Sequence, residues 1–345
     1  MHYDHKHYDH KHYDHKHYHR AVVFMLAESP THTSYRRSFR MRRFAILALA
    51  AACIFGMTSA ASAHIGGLVF PVYEIPTGDL PDLRDGTLED WEDVLPGTSL
   101  DHNSFAPLNV SDGAGINPED LAYRVFLTWH SASQTLAAAI ERVDDVYVNT
   151  YEGGDLTGLW RFDSIEFMVD GDHTGGSYNG FSSDEYTADE IKLLSNFQAQ
   201  QYVAVAESPD GRTLGYQGSG QGWVTLPPYA DAGGFSVGES PNTSVIELSV
   251  TAWDELNWQG PELSRRSTLT AGNTIGFQFS IPDFDTEAGA YHGFHTLSGQ
   301  PNTWRLAENF VDGELVPCST GDCGSAPTQT AVNEDSWGRI KASFR

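Results

Sequence analysis

A segment of seven residues constrains the fold of this chain more than any other part of the sequence. Apolar and polar side chains alternate along residues 164–170. The apolar positions are Ile165, Phe167 and Val169, and the intervening positions are Ser164, Glu166 and Met168. A period of two residues is typical of a β-strand with one buried face, so this segment predicts a strand that packs against a second layer.

Strand signals of the same kind recur along the chain, each between clusters of Gly, Pro, Asn or Asp. They cover Tyr123 to Trp129, Thr135 to Arg142, Ala199 to Ala206, Val245 to Ala252 and Thr274 to Ile281. Residues 130–134 are predicted as a hairpin loop, and only Ala188 to Phe197 indicates a helix. Many short strands with turns between them predict an all-β, antiparallel β-sandwich. Two stretches, Pro209 to Gly238 and Trp253 to Thr270, are predicted as inserted loops that cover or extend a binding face.

The first 63 residues are predicted to lie outside the mature domain. Met41-Arg42-Arg43, an apolar run over residues 44–57 and Ala61-Ser62-Ala63 are typical of a secretory signal peptide (residues 41–63) that is cleaved before His64. The run is too short to span a bilayer. Residues 1–40 carry a His-Tyr-Asp-His-Lys repeat, which is either a metal-binding histidine tract or, in the interpretation we prefer, a non-native upstream segment. The mature protein is expected to be secreted, either periplasmic or extracellular.

The charge of the predicted mature chain excludes some classes of partner. The first 63 residues hold nine of the 21 basic and four of the 46 acidic side chains, so 12 basic and 42 acidic ones remain, with a net charge of −30. A field of this sign repels nucleic acid and anionic membrane surfaces, and it attracts hard cations such as Ca²⁺. A solvated acidic surface explains most of the charge equally well.

Two cysteines remain in the predicted mature chain. Cys318 and Cys323 are separated by four residues in a turn-prone loop, and an oxidising compartment favours a local disulfide between them. Metal ligation by the pair is the weaker alternative, because no histidine is near. Residues 324–345 predict a linker and a tail, which could dock to a surface or to other proteins, form an edge strand or be disordered.

Several motifs together resemble one known family. The segment from Trp160 to Asp170 is similar to the W-x-x-D-S-[VI]-E-x-x-[IV]-D motif of family 9 carbohydrate-binding modules, which belong to the wider DOMON-like β-sandwich superfamily. Four more segments resemble motifs of that family in the same order, at residues 85–91, 245–250, 272–283 and 302–305. The resemblance covers roughly residues 80 to 317. It implies a DOMON-like sandwich over residues 64–323 that binds a polysaccharide or oligosaccharide without turnover.

The resemblance also implies roles for individual residues. Two tryptophans of the family sandwich the terminal sugar of a glycan, and they correspond to Trp160 and Trp304. Hydroxyl-binding positions of the family correspond to Glu166 and Asn302. This sequence departs from the family at two polar positions, where an arginine is replaced by Gln201 or Tyr202 and a glutamine by Ser280. The stacking pair is therefore kept, while the specificity is in doubt.

Paired carboxylates suggest a metal. Asp170 with Asp172, and Asp283 with Asp285, are two residues apart, and carboxylate oxygens are the ligands that Ca²⁺ prefers. The family commonly binds structural calcium, so the resemblance implies at least one such site. Turn formation by ordinary Asp residues is the competing explanation.

Functions of other classes stay open at this stage. A copper enzyme would use His64, as the mature N-terminal residue, together with His130, His292 or His295. A haem module would place Met168 opposite His292 or His295. Glycoside hydrolysis would need two suitably spaced carboxylates, which a linear sequence does not show. No Ser-His-Asp motif, G-x-S-x-G motif or phosphate-binding glycine loop is present. A structural or adhesion sandwich without a sugar ligand is the last alternative.

Overall fold

The computed structural model describes residues 64–65, 67–108, 115–216 and 222–318, which all belong to one compact unit. The predicted signal peptide, the upstream repeat, Cys323 and the tail lie outside the described residues, so these predictions and the disulfide stay predictions. None of the helices in the described part of the chain is long and apolar enough to cross a membrane.

The described residues form a β-rich fold, as the sequence predicts. The strands are β1 Val69–Glu74, β2 Leu100–Asp101, β3 Ala106–Pro107, β4 Leu121–His130, β5 Thr135–Asp144, β6 Ser164–Asp170, β7 Gln200–Val205, β8 Leu214–Tyr216, β9 Ala230–Val237, β10 Asn242–Val250, β11 Trp253–Glu255, β12 Arg265–Arg266, β13 Thr274–Asp283, β14 Gly293–Thr296 and β15 Val311–Val316. The helices are α1 Glu89–Val94 and α2 Ala188–Leu194, with short 3-10 turns at Thr77–Asp79, His102–Ser104, Leu156–Arg161, Gly222–Thr225, Pro261–Leu263 and Ala307–Asn309.

The strands form one continuous sheet that folds into a sandwich. Its main path runs β8-β7-β6-β13-β15-β1-β4-β5-β10-β9, with β14 added beside β13. Pairing along this path is antiparallel except at β1, which pairs in parallel with β15 and β4. The first layer holds β6, β7, β8, β13 and β14, and the second layer holds β4, β5, β9 and β10. The all-β sandwich is thus confirmed.

Alternation along the strands decides what each layer buries. Ile165, Phe167 and Val169 of β6 join one core cluster with side chains of β4, β5, β10 and β13. The opposite face of the second layer is covered by α1, whose Trp91 packs beside Phe126. The intervening positions of β6 therefore point away from the core, onto the outer face of the first layer.

Two details differ from the sequence predictions. The predicted insertion Pro209 to Gly238 contains β8 and β9, and β9 pairs with β10 along its whole length. Strand propensity does not predict this strand, because it contains Gly233 and Gly234 and glycine is disfavoured in strands. The predicted insertion Trp253 to Thr270 contains the small β11–β12 sheet.

Candidate functional site

The outer face of the first layer carries an unusual set of polar side chains. Strand register places Glu166 opposite Val203 on one side and Ser280 on the other, and Ser280 lies opposite Thr296. The next row runs Gln201, Met168, Gln278. We call the set Ser164, Glu166, Gln201, Gln278, Ser280 and Thr296 the polar face. All six side chains are buried, although they point away from the core.

Glu166 lies at the centre of the polar face. Its carboxylate accepts a hydrogen bond from Gln201 Nε2 at 3.2 Å, and the residue is only 3% exposed. Burial raises the pKa of Glu166 to about 8, which the Gln201 bond only partly opposes. At neutral pH the carboxyl is therefore mostly protonated, so it offers one donor and further acceptor capacity.

Five polar atoms of the polar face have no hydrogen-bond partner among the described residues. They are Ser164 Oγ, Gln201 Oε1, Gln278 Nε2, Ser280 Oγ and Thr296 Oγ1. A buried polar group without a partner costs about 1–3 kcal/mol, and such groups are uncommon in native proteins. Their concentration on one face of four neighbouring strands indicates a place where water or a polar ligand supplies the missing partners.

Trp160 lies at one end of the polar face. It belongs to the 3-10 turn Leu156–Arg161, which packs on Val203 and Val205 of β7. Its ring lies 6.5 Å from that of Tyr291 with an interplanar angle of 30°, and the Arg161 guanidinium is 5.9 Å from the ring centre. Trp160 is half-buried, so part of its indole faces solvent.

Trp304 lies in the loop after β14 and is 45% exposed. The loop is fixed to the first layer through Tyr178, whose hydroxyl donates to the Thr303 carbonyl at 2.7 Å and whose N–H donates to that of Arg305 at 2.9 Å. Asn302 turns the loop with a φ of +63°, and its carbonyl accepts from the N–H groups of Arg305 and Leu306. Among the described residues no ring contact joins Trp304 to Trp160.

The structure separates the two residues that sequence reasoning offers at the arginine position. Gln201 lies on the polar face, whereas Tyr202 points into the core, where its hydroxyl donates to the Thr251 carbonyl at 3.0 Å. Successive residues of a strand face opposite sides, so only one of them can belong to the face. Tyr202 is therefore not part of the candidate site.

Sequence reasoning missed several members of the site. Gln278 and Thr296 are fixed by register alone, and the register of β13 with β6 and β14 cannot be read from either strand by itself. Burial raises the pKa of Tyr178 and of Tyr291, and charge on Glu166 raises both further, so the two phenols are neighbours of Glu166. No local motif marks either tyrosine, so only the fold reveals them.

A second polar group gathers acidic side chains from the ends of two strands and from neighbouring loops. Asp120, Asp283, Asp285 and His292 bring one ligand atom each within 4.8 Å of one another, and Asp144, Asp145 and Asp163 adjoin them. We call these seven residues the carboxylate cluster. His292 Nδ1 lies 2.6 Å from Asp285 Oδ2 and 3.3 Å from Asp283 Oδ2. Arg142, fully buried, donates from one nitrogen to Asp144 at 2.9 Å and to Asp163 at 3.0 Å.

The carboxylate cluster carries more negative than positive charge. Burial raises the pKa of Asp163 and of Asp283 to about 7, although Arg142 opposes the shift. Asp283 Oδ1 is buried and has no hydrogen-bond partner among the described residues. An unpartnered carboxylate oxygen next to other carboxylates fits a hard cation.

The two predicted carboxylate pairs occupy different environments. Asp283 and Asp285 belong to the carboxylate cluster, but no group of that kind among the described residues includes Asp170 or Asp172. Asp170 accepts from the N–H groups of Thr174 and Gly175, at 3.3 and 2.7 Å, and so forms a turn after β6. Its other neighbour is His64, whose Nε2 lies 3.1 Å away.

His64, Met168 and His295, which the copper and haem alternatives use, lie in different environments. His64 is buried beside His173 and Phe310, with Nδ1 3.2 Å from the Ala307 carbonyl oxygen, and burial lowers its pKa to about 4. Met168 packs with Tyr178, Ala199, Ala307 and Phe310 on the outer face. His295 lies on the core side, bonded to the Tyr123 hydroxyl at 3.1 Å. Met168 and His295 therefore lie on opposite faces of the first layer.

Comparison with known proteins completes the description. No known family and no curated protein matches the sequence of this chain. Two solved structures of a family 9 carbohydrate-binding module from Caldicellulosiruptor kristjanssonii, with cellotriose and with glucose, are similar at 12% identity and a TM-score of 0.45. They cover 73% and 72% of this chain and 95% and 97% of their own. A carbohydrate-binding protein from Bacteroides uniformis, described as putative, is similar at 12% identity and a TM-score of 0.36, over 72% of this chain and 98% of its own. Likeness at this level carries no argument about function.

Proposed function

We propose that this protein binds carbohydrate non-covalently on the polar face and does not turn it over. The observation that carries the proposal is the set of five unpartnered polar atoms around Glu166. Sugar hydroxyls both donate and accept hydrogen bonds, so they match a mixed set of hydroxyls, amides and a protonated carboxyl. A cation matches it poorly, because Glu166 is the only carboxyl of the six and burial keeps it mostly protonated at pH 7.

Aromatic side chains support the same ligand. A sugar ring has apolar C–H faces that pack on indole or phenol rings while its hydroxyls reach polar groups at the edges. Trp160 and Tyr291 lie together at one end of the polar face, and the exposed Trp304 lies on the loop held by Tyr178. Each tryptophan would offer one face to the glycan, with Glu166, Gln201 and Ser280 as hydroxyl partners and Asn302 in the Trp304 loop.

Isothermal titration calorimetry tests the proposal directly. Glucose, cellotriose, xylotriose and mannotriose would be titrated into the parent protein and into Trp160→Ala and Trp304→Ala. Saturable binding of at least one sugar, weakened tenfold or more in either variant, is the expected result. The matched control is Phe235→Ala, which removes an exposed aromatic side chain from β9 in the other layer. Parent-like affinity in both tryptophan variants would exclude stacking at this face.

We also propose that the carboxylate cluster holds a structural calcium ion. Asp283, Asp285 and Asp120 are the residues that would bind it, and the unpartnered Asp283 Oδ1 is the observation that supports it. The ion would neutralise charge that Arg142 and His292 leave uncompensated. Asp170 and Asp172 are not part of this proposal, because Asp170 is engaged in a turn and with His64.

The proposed function also includes location. A secreted protein fits the predicted signal peptide and the acidic composition, and binding of an extracellular or periplasmic glycan is the expected setting. Release of the protein, cleaved before His64, into the medium or periplasm of an expressing cell would be read by N-terminal sequencing.

A further inference from the structure

A cleft of about 550 Å³ lies apart from the polar face. It is bounded by the loop after β5, by the turn between β7 and β8, and by β9. Its lining residues include Tyr147, Tyr151, Thr213, Gly233, Gly234 and Arg84. No residue of the polar face and neither Trp160 nor Trp304 lines it. Its volume lies within the range of roughly 300–1,000 Å³ that is usual for small-molecule sites.

Two glycines of β9, Gly233 and Gly234, line the cleft. A Cβ on Gly233 would overlap the Leu83 carbonyl oxygen, and one on Gly234 would overlap that of Ala206. Both neighbouring segments therefore approach β9 more closely than any side chain would allow. Tyr147 and Tyr151 also line the cleft. Asn149 fixes this segment, because its Nδ2 donates to the Glu207 carbonyl at 2.9 Å and its Oδ1 accepts from the Tyr151 N–H at 3.3 Å.

Two buried hydroxyls of the lining residues have no hydrogen-bond partner among the described residues. They are Tyr151 OH and Thr213 Oγ1, in residues that are only 9% and 8% exposed. Each unmet hydroxyl costs about 1–3 kcal/mol in the free protein, and a bound ligand with hydroxyl groups would recover that cost. The two residues come from segments more than 60 positions apart in the sequence, so the cleft itself brings them together.

The charge around the cleft restricts its ligand. Arg84 is the only basic side chain among the described residues of the lining, and the carboxylate of Asp231 holds it through both terminal nitrogens. Its positive charge is therefore not available to an anion. Glu207 is the only acidic side chain of the lining, and none of the acidic groups able to hold a cation in the described residues includes it. A neutral ligand rich in hydroxyls, with one apolar face, is the chemistry that remains.

We infer that this cleft is a second binding site, specific for a neutral carbohydrate of one or two rings, whose C–H face packs on Tyr147 and whose hydroxyls pair with Tyr151 OH and Thr213 Oγ1. The site shares no lining residue with the polar face. The protein would then hold two parts of a glycan, or two glycans, at once.

The test uses the backbone amide NMR signals of the full chain during titration with glucose, galactose, xylose and cellobiose. The amides of Gly233, Gly234 and Thr213 report the cleft, and those of Gln201 and Ser280 report the polar face. Saturable shifts of the cleft amides with at least one sugar are expected. These shifts should persist in Trp304→Ala, whose side chain is not part of the cluster around Tyr151, so failure of the proposed function leaves the inference testable.

Removal of the two hydroxyls should have opposite effects on stability and on binding. In Tyr151→Phe/Thr213→Val the unmet hydroxyls are gone, so the melting temperature is expected to stay or rise, while cleft affinity falls tenfold or more. The matched control is Tyr216→Phe, which removes another buried, unpartnered phenol hydroxyl outside the cleft and should leave cleft binding unchanged. The inference is overturned if no sugar shifts the cleft amides of the parent, or if Tyr151→Phe/Thr213→Val binds at the cleft like the parent.

Discussion

At the residue scale, the burial of Glu166 removes its hydration and also sets its protonation state. The structure records no cationic partner for this carboxyl among the described residues, and a single amide bond from Gln201 does not replace its hydration. The carboxyl therefore keeps its proton up to a pH of about 8. A charged carboxylate would only accept hydrogen bonds, whereas the protonated form can also donate one to a sugar oxygen.

The pH dependence of Glu166→Gln follows from this shift. Between pH 4.5 and about 8 the unfolded chain has lost the Glu166 proton while the folded chain keeps it, so the free energy of unfolding of the parent falls as pH rises. The glutamine side chain of the variant does not titrate and keeps a similar shape. The variant is expected to gain stability relative to the parent across this range, by a few kcal/mol at most.

Urea denaturation at pH 4.5, 6, 7 and 8 measures the effect. The difference in unfolding free energy between Glu166→Gln and the parent should grow with pH. Asp163, Asp283 and the other carboxyls with a raised pKa are present in both proteins, so their contributions cancel in this difference. Glu185→Gln, at an exposed residue outside the capping box, should show no such growth. A difference that does not change with pH would mean that Glu166 is already ionised in the folded protein.

At the element scale, the segment that presents Trp160 depends on one glycine of the sheet. Gly215 of β8 lies opposite Val203, and a Cβ there would overlap the Leu156 carbonyl oxygen and lie 2.9 Å from Leu159 Cδ1. The 3-10 turn Leu156–Arg161 rests directly on this bare stretch of strand. Its position, and with it the position of Trp160, is set by the absence of a side chain at residue 215.

Gly215→Ala is therefore expected to push the 3-10 turn away from β8. Overpacking of this kind costs about 1–3 kcal/mol of stability, and the displaced Trp160 should weaken sugar binding on the polar face. Thermal unfolding and calorimetry measure the two effects together. Gly222→Ala, where nothing lies within 4 Å of the added methyl group, is the control and should change neither.

Helix α2 depends on its first turn. Thr187 accepts from the Glu190 N–H and Glu190 Oε2 accepts from the Thr187 N–H, a complete capping box. Thr187→Ala is expected to cost about 0.5–2 kcal/mol in unfolding free energy. Thr187→Ser keeps the oxygen and should recover most of it. Equal stability of the two variants in urea denaturation would show that the cap contributes nothing.

Elements with a strong period were predictable, and elements defined by distant neighbours were not. Residues 164–170 are a strand at the predicted residues, and the helix predicted over Ala188 to Phe197 ends at Leu194. Strand β9 was not predicted, because its glycines have a low strand propensity. They allow the backbone of Leu83 and Ala206 to pack against the strand. Asp283 and Asp285 were predicted as metal ligands from their spacing, but their neighbours Asp120 and His292 come from other parts of the chain.

At the scale of the whole molecule, the carboxylate cluster ties the two layers together at one end. Arg142 belongs to β5, and its guanidinium donates to the carbonyls of Ser164 and Pro282 in the other layer, at 3.0 and 3.1 Å. Asp163 and Asp283 are the sequence neighbours of Ser164 and Pro282, so their negative charge lies where the two layers meet. Repulsion among the carboxylates opposes this junction, and any bound cation would strengthen it.

Calcium is therefore expected to raise the melting temperature of the protein. A ligand that binds only the folded state stabilises it by about 2.7 kcal/mol at a hundredfold excess over Kd, which corresponds to several degrees in a chain of this size. Differential scanning calorimetry with CaCl₂, with EDTA and with NaCl at equal ionic strength separates site binding from charge screening. Asp285→Asn should abolish the calcium-specific increase, whereas Asp172→Asn, in the turn outside the carboxylate cluster, should retain it. An increase of the same size with NaCl would show that the cluster only responds to ionic strength and holds no calcium.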